Sequence, residues 1–273
     1  MEGGHRGEDM TPYYETELGK LYHGDCLEIM SYLPVIDMVV TSPPYDELRQ
    51  YGGYEFDYKK TAFNLFGLIR VGGVVVWVVG DQVENGSETG TSFRQALYFK
   101  DVAGFKLHDT MIYLKTGFNN PSTNRYHQVF EYMFVFSKEV PKTFNPIKDR
   151  INHYNKRGGR SIRQKNGTTQ KGAGGQSLKP RGMRFNVWEI SCPGISGTIH
   201  PATFNIQIPQ DHIISWSNSG DLVLDPFLGS GTTAIACERL NRCWIGIEIS
   251  EKYCQVAKER IEREIAQNKL PGF

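Results

Sequence analysis

The sequence predicts an α/β protein with a mostly parallel, twisted sheet and helices on both faces, for two reasons. The chain contains apolar runs rich in β-branched residues, at 35–40, 74–79 and 243–249, and such runs are typical of strands buried on both faces. The runs are separated by turn-forming residues and by segments in which apolar residues recur with helical spacing. Strands that alternate with helices in this way favour a parallel sheet.

The remaining elements are predicted from the same patterns. In chain order they are a brief strand near 21–23 with a turn at 24–25, an amphipathic helix at 26–30, a helix through 62–69, a helix within 88–103, a strand at 105–115, a strand at the end of 126–138, an ordered core segment at 185–190, a helix at 206–217, a strand at 221–224, a helix at 234–240 and a helix at 253–267. Gly72 and Gly73 are expected to end the helix that precedes them. Residues 1–17 are polar and are expected to be frayed.

The run at 35–40 leads into a loop of sequence Thr41-Ser42-Pro43-Pro44-Tyr45. The two prolines fix φ and lack an N–H group, so the carbonyls of Ser42 and Pro43 are held extended and can accept hydrogen bonds from a ligand. Ser42 adds a hydroxyl acceptor, and Tyr45 adds a flat face on which a ring can stack. The loop is therefore suited to bind an aromatic amine; a rigid turn with a core tyrosine is the alternative.

A second motif lies between the strand at 221–224 and the helix at 234–240. Gly229 and Gly231 allow close backbone approach and open N–H groups at a helix N-terminus, which suits a carboxylate or a phosphate. Glu248 lies 17 positions beyond Gly231, a spacing at which an acid reaches ribose hydroxyls. The motif also fits a dinucleotide fingerprint. However, only 40 residues follow position 233, too few for the rest of a nicotinamide-binding sheet unless the fold is permuted.

Together, Ser42-Pro43-Pro44-Tyr45 and Asp225-Pro226-Phe227-Leu228-Gly229-Ser230-Gly231-Thr232-Thr233 resemble the motifs of the amino-group DNA methyltransferases that use S-adenosylmethionine. The order of the motifs resembles the β class, in which the catalytic loop comes first, a variable basic region follows and the glycine turn comes last. The resemblance covers most of the chain. It implies a circularly permuted Rossmann-like methyltransferase fold and direct methyl transfer to the exocyclic amine of a base flipped out of double-stranded DNA.

The resemblance also implies roles for individual residues. The catalytic residues would be Ser42, Pro43, Pro44 and Tyr45. The residues that would bind S-adenosylmethionine are Asp25, Cys26, His200, Pro201, Phe204, Asp225, Pro226, Phe227, Gly229, Ser230, Gly231, Thr232, Thr233 and Glu248. For Asp25, a helix N-cap is the alternative. The family pattern often has a proline where this chain has Asn205.

The target base is predicted from Ser42. In the family, serine at this position is associated mainly with cytosine N4, and aspartate mainly with adenine N6. Cytosine N4 is therefore preferred, with adenine N6 as the alternative, and an RNA or a protein amide as a less favoured acceptor. Asp81, at the end of a strongly apolar strand, is a candidate for the base pocket or for a capping role in its loop.

The segment 142–184 has a strong charge bias. It carries twelve Lys or Arg residues against one acid, Asp149, so its net charge is +11, and the rest of this chain of net charge +1 carries −10. A basic, glycine-rich tract of this kind suits the phosphate backbone of DNA, although a solvated basic loop is the alternative. The predicted DNA-binding residues are Lys156, Arg157, Arg160, Arg163, Lys165, Lys179, Arg181 and Arg184.

These motifs divide the chain into four predicted segments. They are a flexible N-terminus at 1–17, the catalytic half of the core at 18–140, a loop-rich basic target-recognition region at 141–186 and the cofactor-binding half at 187–273. The five cysteines form no C-x-x-C pair, the start lacks an apolar signal core, and 71–79 is too short to span a bilayer. We therefore expect a cytoplasmic protein without a metal or a membrane partner, acting as a monomer or a homodimer, with a cognate restriction endonuclease as a further candidate partner.

Overall fold

The computed structural model describes residues 11–44, 56–117, 123–153, 161–171, 177, 179–191 and 205–268. The chain forms two units, one of Met1–Asn145 with Val187–Phe273 and one of Pro146–Asn186. The predicted site residues that lie outside the described residues are Tyr45, Lys156, Arg157, Arg160, His200, Pro201 and Phe204. The predicted target-recognition region, 141–186, contains the second unit.

The elements alternate along much of the chain. The strands are β1 (Tyr14–Glu15), β2 (Gly19–His23), β3 (Ile36–Thr41), β4 (Ile69–Val79), β5 (Val83–Glu84), β6 (Ser87–Glu88), β7 (Lys106–Lys115), β8 (Phe130–Ser137), β9 (Arg150–Ile151), β10 (Ser161–Arg163), β11 (Thr169–Lys171), β12 (Arg181–Gly182), β13 (Val187–Ile190), β14 (Leu222–Asp225) and β15 (Cys243–Glu248). The helices are α1 (Cys26–Met30), α2 (Tyr58–Leu68), α3 (Thr91–Asp101), α4 (Gln207–Trp216), α5 (Thr232–Leu240) and α6 (Glu251–Asn268).

Nine of the described strands form one sheet in the order β1-β2-β15-β14-β3-β4-β8-β7-β13. The five strands from β2 to β4 in this order are parallel, β8 is antiparallel to both of its neighbours, and β13 is parallel to β7. Strand β14, from the C-terminal part of the chain, thus lies beside β3, from the N-terminal part, as the permuted motif order predicts. The predicted mostly parallel α/β fold is confirmed.

The central strand β4 shows why the sheet is covered on both faces. Its residues from Gly72 to Val79 are all buried. Val74, Val76 and Val78 belong to a core cluster that includes buried residues of α4, α5 and α6, whereas the intervening Val75, Trp77 and Val79 belong to a second cluster with residues of α1, α2 and α3. Because successive strand residues point to opposite faces, an uninterrupted apolar run serves both cores.

The prediction that Gly72 and Gly73 end a helix is wrong. The helix α2 ends at Leu68, and both glycines lie inside β4. Gly72 has a φ of +84°, and a Cβ atom on Gly73 would lie 2.7 Å from the carbonyl oxygen of Asp37 in the neighbouring strand β3. Gly72 is therefore favoured by its left-handed φ, and Gly73 by the close approach of two strands near a register irregularity between Ile36 and Met38.

The unit Pro146–Asn186 contains two short antiparallel ribbons, β9 with β12 and β10 with β11. None of its described residues is buried, in agreement with a glycine-rich basic segment that has few apolar residues. Over the described part of the chain, no helix combines the length and the hydropathy needed to cross a membrane.

Candidate active site at the ends of two parallel strands

The two sequence motifs follow neighbouring parallel strands. Strands β3 and β14 pair through Met38 with Val223 and through Val39 with Leu224. Beyond these pairs, β3 leads into Ser42, Pro43 and Pro44, while β14 leads into the glycine turn and α5. Because parallel strands present their carboxyl ends at one edge of a sheet, the predicted amine-binding loop and the predicted cofactor turn lie at the same edge.

A buried carboxylate connects the two motifs. Asp225, the last residue of β14, is 1% exposed. Its Oδ1 accepts hydrogen bonds from the Thr41 hydroxyl at 2.6 Å and from the Phe227 N–H group at 3.1 Å, and its Oδ2 accepts from the Thr233 hydroxyl at 2.6 Å. Burial raises the pKa of Asp225 to about 6, and these three hydrogen bonds oppose the increase.

The glycine turn requires its two glycines for conformation and packing. Gly229 has a φ of +55° and Gly231 a φ of +84°, both in the left-handed region that favours glycine. A Cβ atom on Gly231 would lie 3.1 Å from the Cβ atom of Ala257 on α6. Gly231 is also the N-cap of α5, where the first-turn N–H groups of a helix have no intrahelical partner. The turn is thus suited to bind an anionic group through backbone donors.

Glu248, the last residue of β15, also holds the glycine turn through hydrogen bonds. Its Oε2 accepts from the Gly229 N–H group at 2.8 Å, and its Oε1 accepts from the Ser250 N–H group at 2.9 Å. The side chain is buried, and this burial raises the pKa of its carboxyl group above the usual value. Glu248 therefore lies at the turn, as its spacing predicts, and a contact with ribose hydroxyls stays a prediction.

Asp25 and Cys26 lie at the start of α1, next to β15. Asp25 is the N-cap of α1 and its Oδ1 accepts from the Leu27 N–H group at 2.8 Å. The N–H group of the preceding Gly24 donates to the carbonyl of Glu248 at 3.0 Å. Burial and the neighbouring Asp25 raise the pKa of the Cys26 thiol to about 12, so the thiol is protonated. The capping alternative for Asp25 is observed; its contact with adenine stays a prediction.

An aromatic cluster lines the same edge. The ring of Phe227 packs edge-on against Phe56 at 5.2 Å and against Trp77 at 6.2 Å between ring centroids. The indole N–H group of Trp77 donates to Gln95 at 2.8 Å. Trp77 is paired in register with Thr41 on β3, so the cluster connects the glycine turn with the end of β3.

Two features of this edge were not identified from the sequence. Arg260 on α6 donates from Nη1 to the carbonyl and the hydroxyl of Ser230, which fixes the start of α5. The second feature is Thr41, which is 0% exposed. A hydroxyl in a buried apolar strand requires a hydrogen-bond partner, and this requirement is a signal in the sequence that could have identified Thr41. Asp81 accepts from the Ser92 N–H group at 2.9 Å, in the first turn of α3, whose N-cap is Gly90; its place in the base pocket stays a prediction.

Comparisons with known proteins agree with this arrangement. A family model described as DNA methylase, of the N6 and N4 type, matches residues 36–259. The chain is 48% identical over 263 residues to the orphan methyltransferase M.BamHII of Bacillus amyloliquefaciens, a match that covers 90% of this chain and 93% of the relative.

The chain belongs to the N6/N4 DNA methylase family.

The resemblance of the methylase to amino-group DNA methyltransferases is therefore confirmed. Its fold is similar to that of the cytosine-N4-specific PvuII DNA methyltransferase, with a TM-score of 0.69, 22% identity and 95% of each chain covered. It is also similar to that of the protein TTHA0409 of Thermus thermophilus, solved in complex with S-adenosyl-L-methionine. That similarity has a TM-score of 0.60 and 24% identity, and it covers 94% of this chain and 96% of that chain.

The structure places the basic residues of the methylase in two kinds of environment. Arg163, Lys165, Lys179 and Arg181 are exposed. By contrast, the Arg184 guanidinium pairs with the Asp149 carboxylate, which holds the pKa of that carboxyl below its usual value. An intramolecular role for Arg184 is thus observed, and its predicted contact with DNA, like those of the four exposed residues, stays a prediction.

Proposed function

We propose that this methylase transfers a methyl group from S-adenosylmethionine to the N4 amine of a cytosine flipped out of double-stranded DNA. The observation that carries the proposal is the adjacency of Ser42 and the glycine turn at neighbouring strand ends. The choice of N4 over adenine N6 rests on the serine at position 42. The fold neighbour named as cytosine-N4-specific supports the same choice.

The chemistry of the turn fits S-adenosylmethionine, which carries a carboxylate, a ribose and an adenine. The first-turn N–H groups of α5, opened by Gly231, would hold the carboxylate. Glu248 would accept from the ribose hydroxyls, and Asp25 would accept from the adenine amino group. Phe227 would contribute an apolar wall. When bound, S-adenosylmethionine supplies an electrophilic methyl group on a sulfonium.

Ser42 and Pro43 would activate the amine. The lone pair of an exocyclic amine is delocalised into the base, which makes the nitrogen a poor nucleophile. If the Ser42 hydroxyl and the Pro43 carbonyl accept its two N–H bonds, the nitrogen is drawn toward a tetrahedral geometry and its lone pair is localised. The nitrogen would then bond to the methyl carbon as the bond from that carbon to sulfur breaks, and the nitrogen would lose one proton to solvent. Positioning and electrostatic complementarity would account for the rate, without a covalent enzyme intermediate.

DNA binding would be divided between the basic unit and the catalytic loop. Flipping a base out of a duplex costs a few kcal/mol. Stacking of the flipped base on Tyr45 would return about 1–3 kcal/mol of this cost. The exposed Arg163, Lys165, Lys179 and Arg181, with Lys156, Arg157 and Arg160, would contact phosphates and base edges.

The test is single-turnover transfer of labelled methyl from S-adenosylmethionine to mixed-sequence duplex DNA, followed by nucleoside digestion and mass spectrometry. Ser42→Ala is the test variant. Ser31→Ala is its matched control. Ser31 is an exposed residue at the C-terminal end of α1, away from Asp25, and its hydroxyl donates to the Glu28 carbonyl. We expect N4-methylcytosine with the wild type and the control, and loss of the label with Ser42→Ala.

Two other results would contradict parts of the proposal. N6-methyladenine would keep the reaction and overturn the assignment of cytosine. Absence of label in any DNA, with S-adenosylmethionine bound, would overturn DNA as the acceptor and direct the search to RNA or protein amides.

A cognate restriction endonuclease, the choice between monomer and homodimer, and a cytoplasmic location stay predictions.

A further inference from the structure

Asp225 was predicted to contact the cofactor, yet its oxygens are engaged by donors from the protein itself. The donors come from three segments: Thr41 at the end of β3, Phe227 in the turn and Thr233 in the first helical turn of α5. Because the residue is only 1% exposed, the carboxylate acts on its neighbours rather than on a ligand in solution.

The position of these bonds in the sheet gives them a specific consequence. The register between β3 and β14 ends at the pair of Val39 and Leu224. Beyond that pair, the side-chain bond between Thr41 and Asp225 continues the connection between the two strands. Thr41 directly precedes Ser42, and Thr233 belongs to the turn that opens α5, so one carboxylate holds both halves of the candidate active site.

We propose that Asp225 is a positioning residue that sets the separation between Ser42 and the start of α5, acting through Thr41 and Thr233. This inference rests on the proposed function, because it assigns Asp225 to the alignment of the amine with the methyl donor. Alignment matters because a misplacement of about 1 Å can reduce a rate by about a hundredfold.

The experiment compares Thr41→Val, Thr233→Val and Asp225→Asn with Thr16→Val as the matched control. Thr16 also donates its hydroxyl to a carboxylate, that of Glu238, at 2.6 Å. Thr16 precedes β2, however, so it lies at the amino ends of the parallel strands, opposite to the candidate active site. The measurements are kcat and KM for methyl transfer to DNA, the affinity for S-adenosylhomocysteine by calorimetry, and the stability of each variant in urea.

We expect Thr41→Val to lower kcat by about ten- to a hundredfold while affinity for S-adenosylhomocysteine is retained, and Thr41→Ser to restore kcat. Thr233→Val and Asp225→Asn should lower both kcat and this affinity, because they also loosen the start of α5. Thr16→Val should lose stability alone. If Thr41→Val keeps the wild-type kcat while Asp225→Asn loses only affinity, the carboxylate contacts the cofactor and the inference is wrong.

A second measurement separates this inference from the proposed function. Thr41 and Thr233 share one carboxylate, so their effects on stability in urea should be non-additive in the Thr41→Val, Thr233→Val double variant. Additive effects would overturn the coupling even if the wild type methylates DNA. Non-additive effects in a protein that transfers no methyl to DNA would instead show that the proposed function fails while the link between β3 and α5 stands.

Discussion

At the scale of single residues, buried carboxylates organise the candidate active site. Asp225 connects β3 with α5, and Glu248 holds the glycine turn through the Gly229 N–H group. Both side chains are buried, and burial raises the pKa of each carboxyl group. Removing a carboxylate from water costs free energy. The two buried side chains therefore lower the stability of the fold while they hold the two motifs in place.

The raised pKa of Asp225 predicts how stability depends on pH. Because folding raises this pKa to about 6, Asp225 binds a proton more tightly in the folded protein than in the unfolded chain. The stabilisation that comes from this proton is full at low pH and is lost as pH rises through about 6. Asp225→Asn should therefore gain about 2–3 kcal/mol relative to the wild type between pH 4 and pH 7. Urea unfolding across this range tests it; a difference that does not change with pH would contradict it.

Tyr45 carries the second prediction at this scale. It follows Pro44 in the amine-binding loop and lies outside the residues that the structure describes. If its ring stacks on the flipped base, Tyr45→Ala should cost about 1–3 kcal/mol of DNA binding and leave S-adenosylhomocysteine binding unchanged. Tyr45→Phe is the control, because it keeps the stacking face. Binding to duplex DNA and calorimetry with S-adenosylhomocysteine measure the two effects; equal loss of both would contradict the role.

At the scale of elements, most of the helices and strands were predictable because each has a local pattern of apolar spacing. The strand at 74–79 and the helix at 234–240 are examples, and both are observed within β4 and α5. Gly72 and Gly73 were misassigned because a glycine pair ends helices in many sequences. The left-handed φ of Gly72 and the close approach of β3 to Gly73 are set by the folded sheet, and spacing along the chain does not report them.

The start of α5 carries the prediction for this scale. Gly231→Ala would impose a left-handed φ on alanine and bring its Cβ atom to 3.1 Å from that of Ala257. We expect a loss of about 1–3 kcal/mol in stability and a weaker affinity for S-adenosylhomocysteine. Gly67→Ala, at an exposed position in α2 with no atom within 4 Å of the added Cβ, should stabilise by about 0.5–1 kcal/mol. Equal effects in urea unfolding would contradict the prediction.

At the scale of the whole molecule, the charge distribution divides the protein. The segment 142–184 has a net charge of +11, and the rest of the chain has −10. None of the described residues of the unit Pro146–Asn186 is buried, so its exposed cations are available to phosphates. This division supports the proposed role of the basic segment in DNA binding.

The salt dependence of DNA binding tests this division. Lys165→Ala and Lys179→Ala should each weaken binding and reduce the slope of log K against log salt by about one. Lys100→Ala is the control, because Lys100 lies on α3 and pairs with Asp101. Arg184→Ala should mainly destabilise its own unit through loss of the Asp149 ion pair. Identical slopes for all variants would contradict phosphate contacts from the basic unit.

The sequence by itself determined the family, the order of the motifs and most elements, because these depend on residue identity and on apolar spacing within short stretches. It also placed Glu248 near the glycine turn, since a strand, a turn and a helix span a nearly fixed number of residues. Only the tertiary structure decided that Asp225 bonds to Thr41, which lies 184 positions away. Such a bond depends on which strands become neighbours, and strand order is a property of the folded sheet as a whole.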